Sequence, residues 1–271
     1  MATDIVHSDS AAEPLAAPPP SSPPARMYPI RFKVVYGMLG LAILGSIAGL
    51  VVAITNSGVV GGAPAWSSWR PHGGGLGAMK EIANRVGETY RLPNGDQLVD
   101  VIATAPSLSP NSGQTIPLHY LAVKGVKGAG IRDYVISPSN SVTYELCGLG
   151  TACSIATGKP SAARGTLVRR EILELALYTF KYVGGIDHVI AFMPPVSPAS
   201  QYVVYLQKDD LAAELKQPIE KTLGSKVPLP ATIPAREVHV VDSATEPRVY
   251  KFGVAQVPTG DFVLVLTPLP A

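Results

Sequence analysis

Cysteine is nearly absent from this 271-residue chain: there are two, Cys147 and Cys153. A structural zinc site needs four Cys or His ligands, and no histidine stands near this pair in sequence, so zinc lacks its donors. A redox role is poorly supported, because the spacing is wider than Cys-x-x-Cys and no thioredoxin-like context surrounds it. Gly-x-Ser-x-Gly does not occur anywhere, so the His72–Gly75 run "HGGG" lacks the nucleophile elbow that such an oxyanion loop serves. "GVKGAG" at 125–130 lacks the Gly-Lys-Ser/Thr ending of a phosphate loop. Charge of one sign is missing as well: 22 basic residues face 20 acidic ones, for a net charge of +2, which argues against nucleic acid as a partner. There is no internal repeat.

What is present begins with a long apolar run. Val34–Ile54, "VVYGMLGLAILGSIAGLVVAI", contains no charge and reaches the roughly 20 residues that a membrane-crossing helix needs. Arg26, Arg31 and Lys33 precede it and no basic residue follows until Arg70, a bias that sets the N-terminus in the cytoplasm of a cell membrane and the C-terminal part outside. A cleaved signal peptide is the rival reading, with small residues at Ala63–Ala65. Against it stand the length of the run, the long segment before it, and Asp4, Asp9 and Glu13 within that segment. No lipobox-like cysteine follows. Gly45, Gly49 and Ala53 recur at intervals of four, the small-residue spacing that lets two membrane helices approach; a homodimer through this helix is one reading and the ordinary glycine content of membrane helices the other. Residues 1–33 read as a disordered Pro-rich cytoplasmic tail, 34–54 as a transmembrane helix, 55–77 as a flexible stalk and 78–271 as an extracytoplasmic domain, with a subdomain split near 226–235 as an alternative. "PSSP" at 20–23 fits a PxxP ligand or a plain spacer.

If 78–271 is exported, its two thiols meet an oxidising compartment, and a Cys147–Cys153 disulfide is the simplest expectation. Free thiols and a metal or redox pair are the other readings. Gly148 and Gly150 between them supply the permissive dihedrals of a tight ring.

The domain itself reads as α+β. "AMKEIANRVGETY" sets Met79, Ile82, Ala83, Val86 and Tyr90 on one helical face. An Asn94-Gly95 turn leads into "LVDVIATA"; further strands are expected in "PLHYLAVK", "IRDYVIS", "DHVIAFMP" and "YVVYLQ". The longest helix, 162–182, has an apolar stripe of Leu173, Ala176, Leu177 and Phe180 widened by Leu167, Ile172 and Leu175, with Arg170 and Glu174 paired on an exposed side. A helix opened by Asp209 and broken at Pro218 is expected next. Three last strands follow in "REVHVVD", "RVYKFGVAQ" and "DFVLVLTP", the final two joined as a hairpin. The fold class expected is a single transmembrane helix followed by a largely antiparallel sheet with helices packed on one face. Trp66 and Trp69 are expected to dock on the domain.

Candidate chemistry is sparse. Glu171 and Glu174, three apart, can share a metal or act as an acid/base pair, but beside Arg169, Arg170 and Lys181 they read as a solvated, salt-bridged helix face. Asp187 and His188 adjoin on a strand, where neighbours point to opposite faces. His119 and His239 lie on expected strands. No catalytic residue, metal ligand or cofactor site emerges, and whether the chain is an enzyme stays open.

The segments "WSSWRP", "YRLPNGDQLV", "YELCGLGTACSIATGKPSAARG" and "RREILELALYTFKYV" resemble a group of bacterial single-pass membrane proteins with an extracytoplasmic domain. That resemblance implies no activity and carries no catalytic residue. The expected function is a membrane-anchored binding or scaffolding module of the cell envelope, in contact with the bilayer and an envelope protein; the alternatives are an envelope-acting hydrolase with an unrecognised site, or an accessory or sensor subunit of another membrane protein.

Overall fold

The computed structural model describes residues 65–108, 115–125, 130–195 and 201–269. Among these residues no helix is long and apolar enough to cross a membrane. The expected single-pass architecture is therefore corrected: what the structure defines is an α+β domain built on a mixed sheet with packed helices. The 34–54 segment, with Gly45, Gly49 and Ala53, lies outside the described residues, as do the 1–33 tail and 126–129 of the Gly-rich loop. Bilayer contact, a helix-mediated homodimer and the cell-membrane topology lose their support with it.

Helix α1 (Gly75–Gly87) buries Met79, Ile82, Ala83 and Val86, the face its periodicity announces. The Asn94-Gly95 turn follows, with Gly95 at φ +88°, and leads to β1 (Asp100–Thr104). A small ribbon of β2 (Ser107–Leu108) and β3 (Ile116–Pro117) precedes β4 (Tyr120–Lys124) and β5 (Ile131–Val135). Strand β6 (Ser141–Cys147) leads through the cysteine loop to α2 (Ala162–Tyr182), which Ser161 caps by accepting a bond from the Arg164 amide at 3.2 Å. Then come β7 (His188–Phe192), β8 (Tyr202–Gln207), the short α3 (Ile219–Thr222), α4 (Ala235–Thr245), and the hairpin of β9 (Val249–Gln256) and β10 (Phe262–Pro268).

The eight-stranded sheet has the order β1-β6-β7-β8-β9-β10-β4-β5. It is mixed and not largely antiparallel: β6 runs parallel to β7, and β4 parallel to β10. The first parallel pair is a β6-α2-β7 crossover, which is how α2 comes to lie on the sheet. Alternate residues of β1, β6, β7 and β8, among them Tyr144, Leu146, Val189 and Leu206, meet α1, α2 and α4 in the main core. The opposite faces of β7 and β8, with Ile190, Phe192, Val203 and Tyr205, meet Leu121, Leu264 and Leu266 in a second core. Phe192 and Phe252 stand edge to face at 4.8 Å there. The sheet thus curls over itself, and β7 and β8 are buried on both faces. Strand β5 is left as an edge, with Ile131 61% and Val135 69% exposed.

Two expected elements differ. The 208–223 segment is two 3-10 turns followed by α3, because Pro218 cannot supply the amide that a continuous helix requires. "REVHVVD" is helical, within α4, where Glu237, Val241, Ala244 and Thr245 are buried at helical spacing.

Cys147 and Cys153 are joined in a disulfide with Cα atoms 4.3 Å apart. The loop is also a small hydrogen-bonded ladder: the Gly148 amide donates to Cys153 O, the Gly150 amide to Ser154 O, and the Ala156 amide to Gly148 O. Leu149 and Cys153 carry the positive φ values, 67° and 58°; the glycines do not. Gly148 and Gly150 are needed for room instead, since a Cβ on Gly148 would sit 2.5 Å from Ser154 O and one on Gly150 2.8 Å from the same oxygen.

Two glycines of neighbouring sequence should therefore respond oppositely to alanine. Gly148→Ala forces backbone apart and should lower the unfolding free energy by about 1–3 kcal/mol. In α2, by contrast, a Cβ on Gly165 meets nothing within 4 Å, so Gly165→Ala should raise it by about 0.5–1 kcal/mol. Urea denaturation of the full-length chain measures both, and equal signs would contradict the packing account. Non-reducing peptide mapping of the same chain should recover Cys147 and Cys153 in one cross-linked species; two alkylated thiols would contradict the disulfide.

Candidate functional site

Helix α2 is apolar almost all round: Leu167, Val168, Ile172, Leu173, Leu175, Ala176, Leu177 and Phe180 are all buried. A helix so enclosed has little solvated face. Arg170, expected on an exposed side, is 0% exposed, the largest of the fully buried side chains among the described residues. A charge there needs partners in every direction. Its Nε donates to Glu237 Oε1 at 2.8 Å, and Nη2 lies 2.6 Å from the same oxygen. Nη2 also donates to Gly224 O at 3.2 Å, and Nη1 to Glu174 Oε2 at 3.1 Å and to the Tyr90 hydroxyl. The Tyr90 hydroxyl itself donates to Glu174 Oε2 at 2.6 Å, and the Gly224 amide donates to Glu237 Oε1 at 2.7 Å. One guanidinium thus ties α2 to α4, to the segment after α1 and to the turn after α3.

Burial shifts these groups in ways their partners modify. Burial works against the Arg170 cation, but Tyr90, Glu174 and Glu237 outweigh it and raise its pKa. Glu174 is pushed up by burial and held back by Arg170 and by the Tyr90 bond. Tyr90 is raised well above its ordinary value by burial and by the Glu174 charge. Glu171, the next residue to Arg170, is fully buried, and neither of its carboxyl oxygens has a partner among the described residues. Burial first and the Glu174 charge second push it well above the carboxylate range, so it is held neutral. The solvated, salt-bridged face expected for Glu171 and Glu174 is thereby corrected to an interior one.

Of the charged side chains of this network, Glu174 is the one that lines an opening, and Gly224 lines it as well. The Glu174 side chain is 17% exposed, and the opening is a cleft of about 310 Å³. Tyr178 and Trp69 form one wall, Val86 and Thr89 of the α1 end another, and Ile219, Glu220 and Leu223 to Val227 a third. The Trp69 wall is a strap laid over α2. Trp66 meets Tyr178 at 5.5 Å and Tyr182 at 5.6 Å, both edge to face, and Trp69 meets Tyr178 at 5.4 Å. Trp66 O accepts from the Ile219 amide at 2.8 Å, and Ser67 Oγ bonds the Tyr182 hydroxyl at 2.7 Å. Strap and α3 are thus held to each other across α2. Arg85 and Lys226 stand at the exposed rim, with Glu220 near them, and Arg85 lies 5.9 Å above the Trp69 ring.

The remaining candidates are dispersed. His72 is exposed and bonds Glu81, which lowers the Glu81 pKa through the His72 amide first. His188 bonds the Tyr205 hydroxyl through Nδ1 at 2.8 Å. His119 lies 3.4 Å from Asp261, and His239 is exposed on α4. No group of three or more His, Cys, Asp or Glu residues is placed to hold a metal ion among the described residues. Gly224 and Glu237 escaped the sequence reading, and Tyr90 was read only as part of an apolar helix face. The width of the α2 apolar stripe was the available signal, because it leaves positions 170, 171 and 174 no solvated side.

Comparison of the chain with protein-family models, with curated proteins and with solved structures finds no match. The resemblance to single-pass membrane proteins is corrected accordingly: neither a matching family nor a membrane-crossing helix among the described residues supports it.

Glu171 makes the stability of the domain depend on pH with a definite sign. The native state keeps a proton that the unfolded chain releases above the ordinary carboxyl pKa. Its contribution is fully present below about pH 4 and is lost as pH rises through the folded pKa. Glu171→Leu removes both the retained proton and the unpartnered oxygens. At pH 7 it should raise the unfolding free energy by about 1–3 kcal/mol. The gain should be smaller near pH 4, where both states keep the proton. Urea titrations at the two pH values decide it, and a loss of stability at pH 7 would contradict a partnerless Glu171.

Proposed function

We propose that the domain binds a small molecule in the cleft between the Trp66–Trp69 strap, the C-terminal half of α2 and the turn after α3. The observation that carries this reading is Glu174. Its Oε2 is held by Tyr90 and Arg170 inside the protein, while its side chain lines a cleft walled by Trp69 and Tyr178. A carboxylate fixed from behind and open in front is preorganised for a partner that is not part of the domain. The volume, about 310 Å³, lies at the lower end of the range of roughly 300–1,000 Å³ usual for ligand sites.

Both tryptophans of the chain belong to the strap, so their emission reports on this place and on unfolding together. A chemically diverse fragment library, screened by thermal unfolding of the full-length chain, should contain compounds that raise the melting temperature, since a ligand of the native state adds stability. Ser225→Phe sets a ring at the mouth of the cleft and should abolish those shifts. The reading fails if no fragment shifts the transition, or if the shifts persist in Ser225→Phe.

A further inference from the structure

We infer that the ligand is a compact zwitterion, with a primary ammonium directed at Glu174, a carboxylate at the rim between Arg85 and Lys226, and an apolar stem along Trp69 and Tyr178. This rests on the reading of the cleft as a ligand site and names the chemistry that site selects.

The argument is one of charge placed at two depths. At the floor, the network holds one cation, Arg170, against two carboxylates, Glu174 and Glu237. Glu171 beside them is buried and held neutral, so it does not alter that balance. The floor therefore carries an excess negative charge in surroundings from which water is largely excluded, where an ammonium donor is favoured. Both intramolecular bonds to Glu174 fall on Oε2, so neither occupies Oε1. At the rim the balance reverses. Arg85 and Lys226 face a single acid, Glu220, and all three are exposed. Between floor and rim the wall is aromatic, Trp69 against Tyr178 with centroids 5.4 Å apart. Aromatic faces accept an alkyl stem and also favour a cation close by. An anion alone would meet the floor carboxylate, and an amine alone would leave the rim cations unpaired.

The probes are 6-aminohexanoate, hexylamine and hexanoate, which share a stem and differ in their charged ends. Isothermal titration of the full-length chain should show the zwitterion binding at least about tenfold more tightly than either singly charged compound, the scale of one charge-assisted contact. Glu174→Gln should weaken 6-aminohexanoate and hexylamine by about tenfold and leave hexanoate unweakened. Lys226→Met, at an exposed position that does not burden folding, should do the reverse, weakening 6-aminohexanoate and hexanoate alone. Equal affinities for the three probes, or a preference for a singly charged one, would overturn the zwitterion. The cleft's role would then still stand on the fragments blocked by Ser225→Phe. Absence of binding by all three, together with absence of any such fragment, would overturn both.

Discussion

The Arg170 guanidinium is the constraint on which the cleft depends. A cation with no exposure needs compensation on every side, and its compensators lie far apart in sequence: Tyr90 after α1, Glu174 one turn along α2, Gly224 after α3 and Glu237 on α4. Satisfying one group therefore places four segments at once. Replacing such a network by apolar residues is often neutral for stability, whereas removing a single member is not. The network's more specific effect is positional, because it decides which oxygen of Glu174 is used inside the protein. The turn carrying Gly224 to Lys226 becomes a wall of the cleft for the same reason.

The sheet supplies the rigid base. Strands β7 and β8 are buried on both faces, by helices on one side and by the curled β10 and β4 on the other. Helix α2 enters through the crossover between β6 and β7, so its C-terminal half, which carries Glu174, Tyr178 and Tyr182, belongs to an element anchored in the main core. The strap and α3 that close over it have fewer internal bonds of their own and rely on aromatic contacts with α2.

Several elements could be read from the amino acids, and the failures have identifiable causes. The span of α2 followed from its wide apolar stripe; the Ser161 cap is visible only in the structure. Strands β4, β5, β7 and β8 followed from their β-branched and aromatic content. Strand β6 was missed because "SVTYELC" mixes Ser, Thr and Glu with apolar residues and is buried on both faces, which erases alternation. With β6 unseen, the β6-α2-β7 unit was invisible, and the sheet was expected to be largely antiparallel. The "REVHVVD" segment reads as a strand by its valines; it is helical because Glu237 at its start is bound by Arg170 while Val241 and Ala244 enter the core. Arg170 and Glu174 were placed in solvent by a pairing rule suited to half-exposed helices. No local pattern announces that two distant segments will close over a helix.

Edge strand β5 has its own consequence. The Ile136 amide reaches inward to His119 O at 3.0 Å, so the alternate residues Ile131, Asp133 and Val135 turn their backbone groups away from β4. Two apolar side chains on such a row invite another strand. If the intruder is a second copy of the same strand, antiparallel and centred on Asp133, each Ile131 meets a Val135, but each Asp133 meets its own counterpart. Like charges directly opposite one another oppose the pairing. In that register the aspartate at the midpoint works against self-templating, while a strand of different sequence meets no such opposition.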